Sequence, residues 1–388
     1  MLWEHWAGYL VPQKYQHSAT YEYYAIRNSV GIFDTSPLFK YRIKGPDATK
    51  FLAGVLTRDV RKCKTGRGQY TVWCDDQGWI LEDGVVLPVK DDEYWLTAAE
   101  PNLRYLQQLA FTDEVEITDI SEDYGVLAIQ GPNSLKIFNE LTKDAAQLNF
   151  FDLTETKIAN KTVILSRTGY TGDLGYEVWV KKEDALDVWD AIMEAGKGYN
   201  ITPFGQKVLH MARIDAGLLL IGIEFETARH AWTDEQRATP IELGFSWMLR
   251  RLSKSDRQFL GRKALEKELA EKTSRWKMVG IEVDWQDYEK VYNDLGMMAP
   301  KCDDPVEYAM TLYQGTKEAN SWIGHTTSFM FSPILKKHIA LARVKPEFSA
   351  LGTELLLELT INHKPRLVKA KVVKMPFFNP PRKTAKRK

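Results

Sequence analysis

A chain of 388 residues exceeds the usual size of one domain, and its 44% hydrophobic content is enough for a sizeable buried core. Lys+Arg and Asp+Glu balance at 52 each, which gives no reason to expect nucleic acid or an anionic membrane surface as partner. Cys63, Cys74 and Cys302 have neither C-x-x-C nor zinc-ligand spacing, so they read as reduced thiols and no metal site is expected. The opening Met1-Leu2-Trp3-Glu4-His5-Trp6 has no basic region followed by an apolar run. No stretch reaches the roughly 20 apolar residues of a membrane span, so a cytoplasmic protein is expected.

In chain order, an aromatic-rich start predicts a short helix over Tyr23 to Arg27 and an alternating strand from Phe39 to Lys44. Gly45-Pro46 turns the chain, and Asp47 is placed to cap the helix that carries Phe51, Leu52 and Leu56. Residues 69–99 read as an antiparallel meander with turns at Asp75-Asp76-Gln77-Gly78 and Asp91-Asp92. A helix follows from Pro101 to Ala110, then a strand from Leu127 to Gln130. Gly131-Pro132-Asn133 echoes the earlier Gly-Pro turn, with Asn133 as cap, which suggests two related α+β halves. A hairpin spans 162–180 and helices are expected over Ala185 to Glu194 and Phe204 to Asp215, the latter ending near Gly217. Residues 254–278 read as a charged boundary helix and linker, followed by a β domain. The basic tail from Pro380 to Lys388 reads as a disordered end.

Three segments carry chemistry. Glu82-Asp83 interrupts an apolar strand, and strand alternation sends the two side chains to opposite faces. At least one carboxylate therefore leaves solvent or enters a cleft, and a buried charge of this kind has a task or a shifted pKa. The alternative is a one-sided sheet with one exposed carboxylate and a bulge at Gly84. In Arg167-Thr168-Gly169-Tyr170-Thr171-Gly172-Asp173-Leu174-Gly175-Tyr176-Glu177-Val178-Trp179, three glycines in seven residues let the backbone turn sharply. Glu177 and Trp179 then share a strand face, and an acid beside an aromatic ring suits a flat nitrogen heterocycle. A surface hairpin with a solvated Glu177 is the other reading. Arg213, at the end of a helix, either binds a carboxylate or serves as a structural ion-pair partner.

These segments stand in a longer series. Val30-Gly31-Ile32-Phe33-Asp34-Thr35-Ser36, Gly68-Gln69-Tyr70, Ile80-Leu81-Glu82-Asp83, Arg167 to Gly172, Gly175-Tyr176-Glu177, Ala212 to Gly217, Pro240 to Gly244, Phe259 to Leu265 and Thr327 to Pro333 follow one another. In that order they resemble the successive motifs of the glycine-cleavage T-protein (aminomethyltransferase) family, over roughly residues 25–378. The resemblance implies an α+β, three-lobed, cloverleaf-like fold with a central folate channel. Residues 1–275 would form the folate-binding region in two α+β lobes, and 276–388 a C-terminal β-barrel domain. It implies tetrahydrofolate as cofactor. Asp83 matches the catalytic aspartate beside the carbon-accepting folate nitrogens, Glu177 the glutamate on the pterin's amino-pyrimidine edge, and Tyr170 a tyrosine lining that pocket. Arg213 matches an arginine near substrate and folate, and Trp179 joins the binding set through its place beside Glu177.

The substrate end departs from the family. Pro37-Leu38-Phe39 stands where the T protein has His-Met-Gly, Ala98-Ala99-Glu100-Pro101 where it has Asn-Ala-Ser-Asn, and Leu220-Ile221-Gly222-Ile223 where it has Leu-Tyr-Gly-Asn. Glu224 to Arg237 is atypical, and 285–320 is extra, aromatic-rich length. The expectation drawn from this is a demethylase-type relative, moving carbon from a small O-, S- or N-methylated donor to N5 of tetrahydrofolate. Tyr23, Tyr24 and His230 are candidates for the general acid because they lie in aromatic or divergent segments. The alternatives are a true aminomethyltransferase acting with a lipoyl carrier protein, and a non-catalytic folate-binding protein. A partner subunit of a demethylating dehydrogenase would need redox chemistry on another chain, since no G-x-G-x-x-G fingerprint is present. The expected state is monomer or homodimer.

Overall fold

A computed structural model describes residues 2–386 apart from 251, 253–254, 303 and 316–320. The chain forms two units, one of 1–208, 247–266 and 380–388, the other of 209–246 and 267–379. The first unit begins with the hairpin β1 (Trp3–Trp6) and β2 (Tyr9–Pro12), then α1 (Ala19–Asn28), β3 (Gly31–Asp34), β4 (Phe39–Lys44) and α2 (Ala48–Val55). The meander is β5 (Gln69–Cys74), β6 (Ile80–Lys90) and β7 (Glu93–Ala98), followed by α3 (Leu103–Leu109), β8 (Glu116–Asp119), β9 (Tyr124–Gln130) and α4 (Ser134–Leu141). β10 (Leu153–Ile158), β11 (Lys161–Ser166), β12 (Gly175–Lys181), α5 (Ala185–Gly196) and β13 (Thr202–Pro203) complete it.

These strands make two sheets, ordered β5-β6-β7-β4-β8 and β10-β11-β12-β9-β3-β13. Leu87 and Trp95 from the first sheet share one apolar cluster with Val126, Leu153 and Trp179 from the second. A second cluster buries Ile137, Phe138, Val188 and Ile192 of α4 and α5 with Ile129 and Val178 of the second sheet. Each sheet is thus apolar where it meets a partner, the arrangement of a layered α+β unit.

The two Gly-Pro turns do the same job in the two sheets. Gly45 and Gly131 both take positive φ, +146° and +129°, where a Cβ would stand 2.2 Å from Glu114 O and 2.6 Å from Ser29 O. Each therefore has to be glycine for the backbone to pass. The capping expectation is corrected: Asp47 and Asn133 occupy the N-cap positions but neither side chain caps its helix. Asp47 Oδ2 instead accepts from Glu114 N at 3.0 Å, and Asn133 Nδ2 donates to Ser29 Oγ at 3.1 Å. Both side chains tie the turn to a neighbouring segment, a long-range bond that replaces the local one.

The chain continues through α6 (Gln206–Asp215), α7 (Arg262–Glu271), β14 (Lys277–Val283), α8 (Trp285–Asn293), β15 (Thr311–Tyr313), β16 (Trp322–Ser332), β17 (Lys337–Val344), β18 (Glu354–Ile361) and β19 (Lys364–Val373). In the second unit β14-β17-β16-β15-β18-β19 close into a barrel. Closure leaves no unpaired sheet edge. The boundary stretch expected over 254–278 contains α7; its first residue, 254, lies outside the described residues, as do 316–320 of the extra aromatic segment. Part of that segment is α8, capped by Asp284 through Asp287 N at 2.9 Å. Its Trp285 and Tyr288 pack on His338, 1% exposed, which is also stacked on Phe329. The tail also departs from expectation. Residues Pro381–Lys383 form a 3-10 turn, and the Arg382 guanidinium pairs with Asp173 at 2.6 and 2.7 Å; residues 387–388 lie outside the described residues. No helix among the described residues is long and apolar enough to cross a membrane.

Candidate folate site

Strand β6 carries the first carboxylates. It pairs with β5 from Ile80 to Val86 and with β7 from Val86 onward. Gly84 sits where the two strands crowd together, and a Cβ there would stand 1.9 Å from Thr97 O. Neither carboxylate is solvated in the manner of a one-sided sheet. Glu82 is fully buried; its Oε2 accepts from Glu100 N at 2.8 Å and Asn102 Nδ2 at 3.2 Å, and its Oε1 from Asp83 N at 2.9 Å. Asn102 N in turn donates to Tyr41 Oη at 2.7 Å. Glu82 thus holds the segment after β7 against β6.

Asp83 points the other way. Val72 is its cross-strand partner, so Tyr70, two residues along β5, lies diagonally opposite on the same face. Tyr70 Oη donates to Asp83 Oδ2 at 2.8 Å. Burial pushes the Asp83 carboxyl above the usual carboxylate range, and the Tyr70 bond pulls it back. Glu82 is raised by burial first and by the Asp83 charge second. The Tyr70 phenol is driven well above its ordinary value by burial, then by Asp83, with Tyr170 also acting on it.

Tyr170 belongs to the loop between β11 and β12. The start of that loop supplies Thr168, whose hydroxyl makes a short hydrogen bond to the Glu177 carboxylate at the head of β12 and lies 2.7 Å from Ser166 Oγ. Burial raises the Glu177 pKa and the Thr168 bond lowers it. Gln130 of β9 pegs the loop. Its Nε2 donates to Thr168 O and Tyr176 O at 3.2 and 3.3 Å, and its Oε1 accepts from Thr171 Oγ1 at 2.9 Å. Cβ atoms at Gly169 or Gly175 would stand 2.1 Å from this amide, so both glycines make room for the peg.

Tyr70, Asp83, Tyr170 and Glu177 are all only half-buried by accessible area. Yet burial dominates the shifts of Tyr70, Asp83 and Glu177, so protein atoms enclose them. A residue that is surrounded but still touched by solvent lines a cleft. Tyr70 links the two ends, bonded to Asp83 and within electrostatic reach of Tyr170. An ionised carboxylate has about four lone-pair sites, and one hydroxyl occupies one of them. Each acid therefore keeps acceptor capacity for a ligand rich in N–H groups, and the tyrosine rings offer flat faces. These donors and acceptors fit a pterin. Two surface hollows of about 380 Å³ lie elsewhere, one lined by Leu2 and Lys14 to His17 and the other by residues that include Tyr9, Pro37, Phe39 and Asp119.

The remaining candidates fall in other places. Trp179 is 4% exposed and sits in the core between the sheets, its ring centroid 5.9 Å from that of Trp95. It shares a strand with Glu177 but packs rather than lining the cleft, a correction to its expected binding role. Tyr24 is half-buried on α1, edge-on to Tyr23 at 5.7 Å. Arg213, in the second unit, is fully buried; its guanidinium meets Glu224 at 2.7 Å, Glu307 at 2.7 Å and Ser328 Oγ at 2.9 Å. That is the ion-pair role weighed for it against carboxylate binding. His230 is exposed in a turn of the second unit, its N–H bonded to Thr227 O at 3.0 Å. Tyr70, Thr168 and Gln130 were not singled out from the sequence. Tyr70 could not be placed by counting from the Asp75 to Gly78 turn, because a register shift between Trp73 and Cys74 is what brings it to the face of Asp83.

Comparison with known proteins identifies the family. Residues 2–251 match the GCVT N-terminal domain and residues 295–379 the glycine cleavage T-protein C-terminal barrel domain. An aminomethyltransferase of Thermoanaerobacter sp. (strain X514) is 31% identical over 96% of this chain and 92% of its own length. One of Geobacillus sp. (strain WCH70) is 32% identical over 96% of this chain and 93% of its own. The crystal structure of glycine cleavage system aminomethyltransferase T from Bartonella henselae superposes with a TM-score of 0.81 at 22% identity, covering 97% of this chain and 94% of that one. The chain has the aminomethyltransferase fold and belongs to the glycine cleavage T-protein family.

Proposed function

We propose that this chain transfers a one-carbon unit to tetrahydrofolate and that the donor is an aminomethyl group carried by a lipoyl protein. The observation that carries the reading is the pair of enclosed carboxylates, Asp83 and Glu177, each steadied by one hydroxyl and each keeping acceptor capacity toward a cleft. Full-length likeness to aminomethyltransferases supports the aminomethyl donor over the small methylated donor expected from the sequence. The departures at Pro37-Leu38-Phe39 and 98–101 keep the methyl donor as the second reading. The same proposal takes 1–275 as the folate-binding region and 276–388 as the barrel domain.

Bound in the cleft, tetrahydrofolate would supply the two nitrogens that take the carbon as a methylene bridge; their two protons leave with the ammonia and the free lipoyl thiol that are released. Glu177 accepts N–H bonds from the amino-pyrimidine edge, a bidentate match of the kind carboxylates make with forked donors. Asp83 faces the positive charge that develops on the accepting nitrogen, and a fixed charge in an enclosed site needs no reorganisation as that happens. Tyr70 keeps Asp83 oriented and favours its ionised form. The larger contribution is proximity, since transfer requires donor carbon and acceptor nitrogen to be held at near-attack distance.

The test is calorimetric titration with tetrahydrofolate, followed by turnover with an aminomethylated lipoyl carrier protein and, separately, with a panel of methylated small molecules. Methylene-tetrahydrofolate formed only with the carrier supports the aminomethyl reading. Methyl-tetrahydrofolate from the panel supports the second. Absence of folate binding refutes both.

A further inference from the structure

The C-terminal tail is tied into the loop that carries the site, at a point that the proposed chemistry does not use. Arg382 Nε and Nη2 each bond one oxygen of Asp173, at 2.6 and 2.7 Å, a bidentate fork across 209 residues of sequence. The Asp173 side chain is fully buried, as is that of Arg27, whose Nη1 stands 4.0 Å from it and donates to Thr171 O at 2.7 Å. Arg167, at the start of the loop, is fully buried and donates to the tail's Ala385 O at 2.9 Å, Arg382 O at 3.0 Å and Lys383 O at 3.1 Å. The loop and the tail therefore hold each other at both ends of the loop. Between those ends lie Thr168, which steadies Glu177, and Tyr170.

We infer that Arg382 is a positioning residue for the folate site: its bidentate pair with Asp173 fixes the Arg167 to Gly175 loop in the conformation that presents Thr168, Tyr170 and Glu177 to the cleft. This rests on the folate reading above. Two features make the pair more than a surface contact. The acid is fully buried, so removal of its partner leaves a charge with less compensation. The fork geometry is the one in which arginine is not replaceable by a point charge. Arg382 itself is 39% exposed at its side chain, so its substitution leaves no large cavity.

The experiment compares the full chain with Arg382→Ala and Arg382→Lys. Hydrogen exchange of the loop amides, without ligand, reads the strap directly, and tetrahydrofolate affinity reads its consequence. The expected result is exchange about tenfold faster over 168–175 in Arg382→Ala, barrel amides unmoved, and folate binding weakened about tenfold. Arg382→Lys should fall between the two, and KM for folate should rise more than kcat falls. Unchanged exchange overturns the strap. Faster exchange with unchanged affinity overturns the positioning role. If the wild-type chain fails to bind folate, it is the functional reading that falls, and the exchange rates still decide whether the strap exists.

Discussion

Tyr70→Phe is the substitution that isolates one physical effect in the site. It removes the hydroxyl 2.8 Å from Asp83 Oδ2 and leaves the ring in place. Burial raises the Asp83 pKa and the Tyr70 bond lowers it, so loss of the bond raises it further. A hydrogen bond to a charged group is worth about 1.5–3 kcal/mol. At 1.36 kcal/mol per pH unit, that corresponds to a rise of about one to two units. If the reaction needs Asp83 ionised, the acid limb of the pH–rate profile moves up by the same amount, and activity recovers toward wild type at high pH. The assay is kcat/KM for folate product formation from about pH 5 to about pH 9, which reports free-enzyme pKa values. An acid limb that stays put would refute the role of Tyr70, and an equal loss at every pH would mean that the ring's position, not the proton, had changed.

Four further outcomes follow from the same geometry. Asp83→Asn should abolish transfer yet stabilise the protein, increasingly so as pH rises above the ordinary carboxylate range: a raised folded-state pKa gives stability that is present at low pH and lost as pH climbs through it. Thermal unfolding across pH checks this, and a variant no more stable than wild type at neutral pH counts against it. Glu177→Gln should weaken tetrahydrofolate binding with little change in melting temperature; unaltered affinity would misplace the pterin edge. Trp179→Ala should cost about 3–5 kcal/mol of stability in denaturant titrations, as core tryptophans do, and a nearly neutral effect would return Trp179 to the cleft. For His338, burial lowers the pKa to about 4, so stability is present above its unfolded pKa and lost as pH falls through the folded one. His338→Phe should therefore flatten the acid side of the stability curve, while an identical curve would show that the ring is not the acid-labile element.

The fold was readable where hydrophobic period and turn residues agreed. The meander β5 to β7, the two Gly-Pro turns and the glycine-rich hairpin all follow from local pattern. The capping of α2 and α4 was misread because Asp47 and Asn133 have long-range partners that local pattern cannot reveal. The tail was misread for the same reason. A basic, proline-containing end resembles a solvated terminus until Asp173, more than 200 residues away, is placed beside it. Within the site, Glu82-Asp83 was conspicuous as charge inside an apolar strand, but their division of labour was not. It depends on which face β7 and the 98–102 segment cover.

That division explains why two adjacent acids are needed. Glu82 takes three N–H donors and locks the segment after β7, so its acceptor capacity is used by structure. Asp83 accepts the Tyr70 hydroxyl and is otherwise helped only by a local backbone bond, which leaves acceptor capacity for the proposed ligand. Both are raised by burial, and Glu82 is raised again by Asp83. The pair therefore lowers the stability of the folded chain at neutral pH. The Arg213 network in the second unit is the contrasting case: two carboxylates and a hydroxyl surround one guanidinium, so each acid has a cationic partner within the fold. Carboxylates paired within the fold make a brace, whereas an enclosed carboxylate with unused acceptor capacity is suited to a ligand. On that physical criterion Asp83 and Glu177 are the residues proposed for the site, and Arg213 is a brace within the second unit.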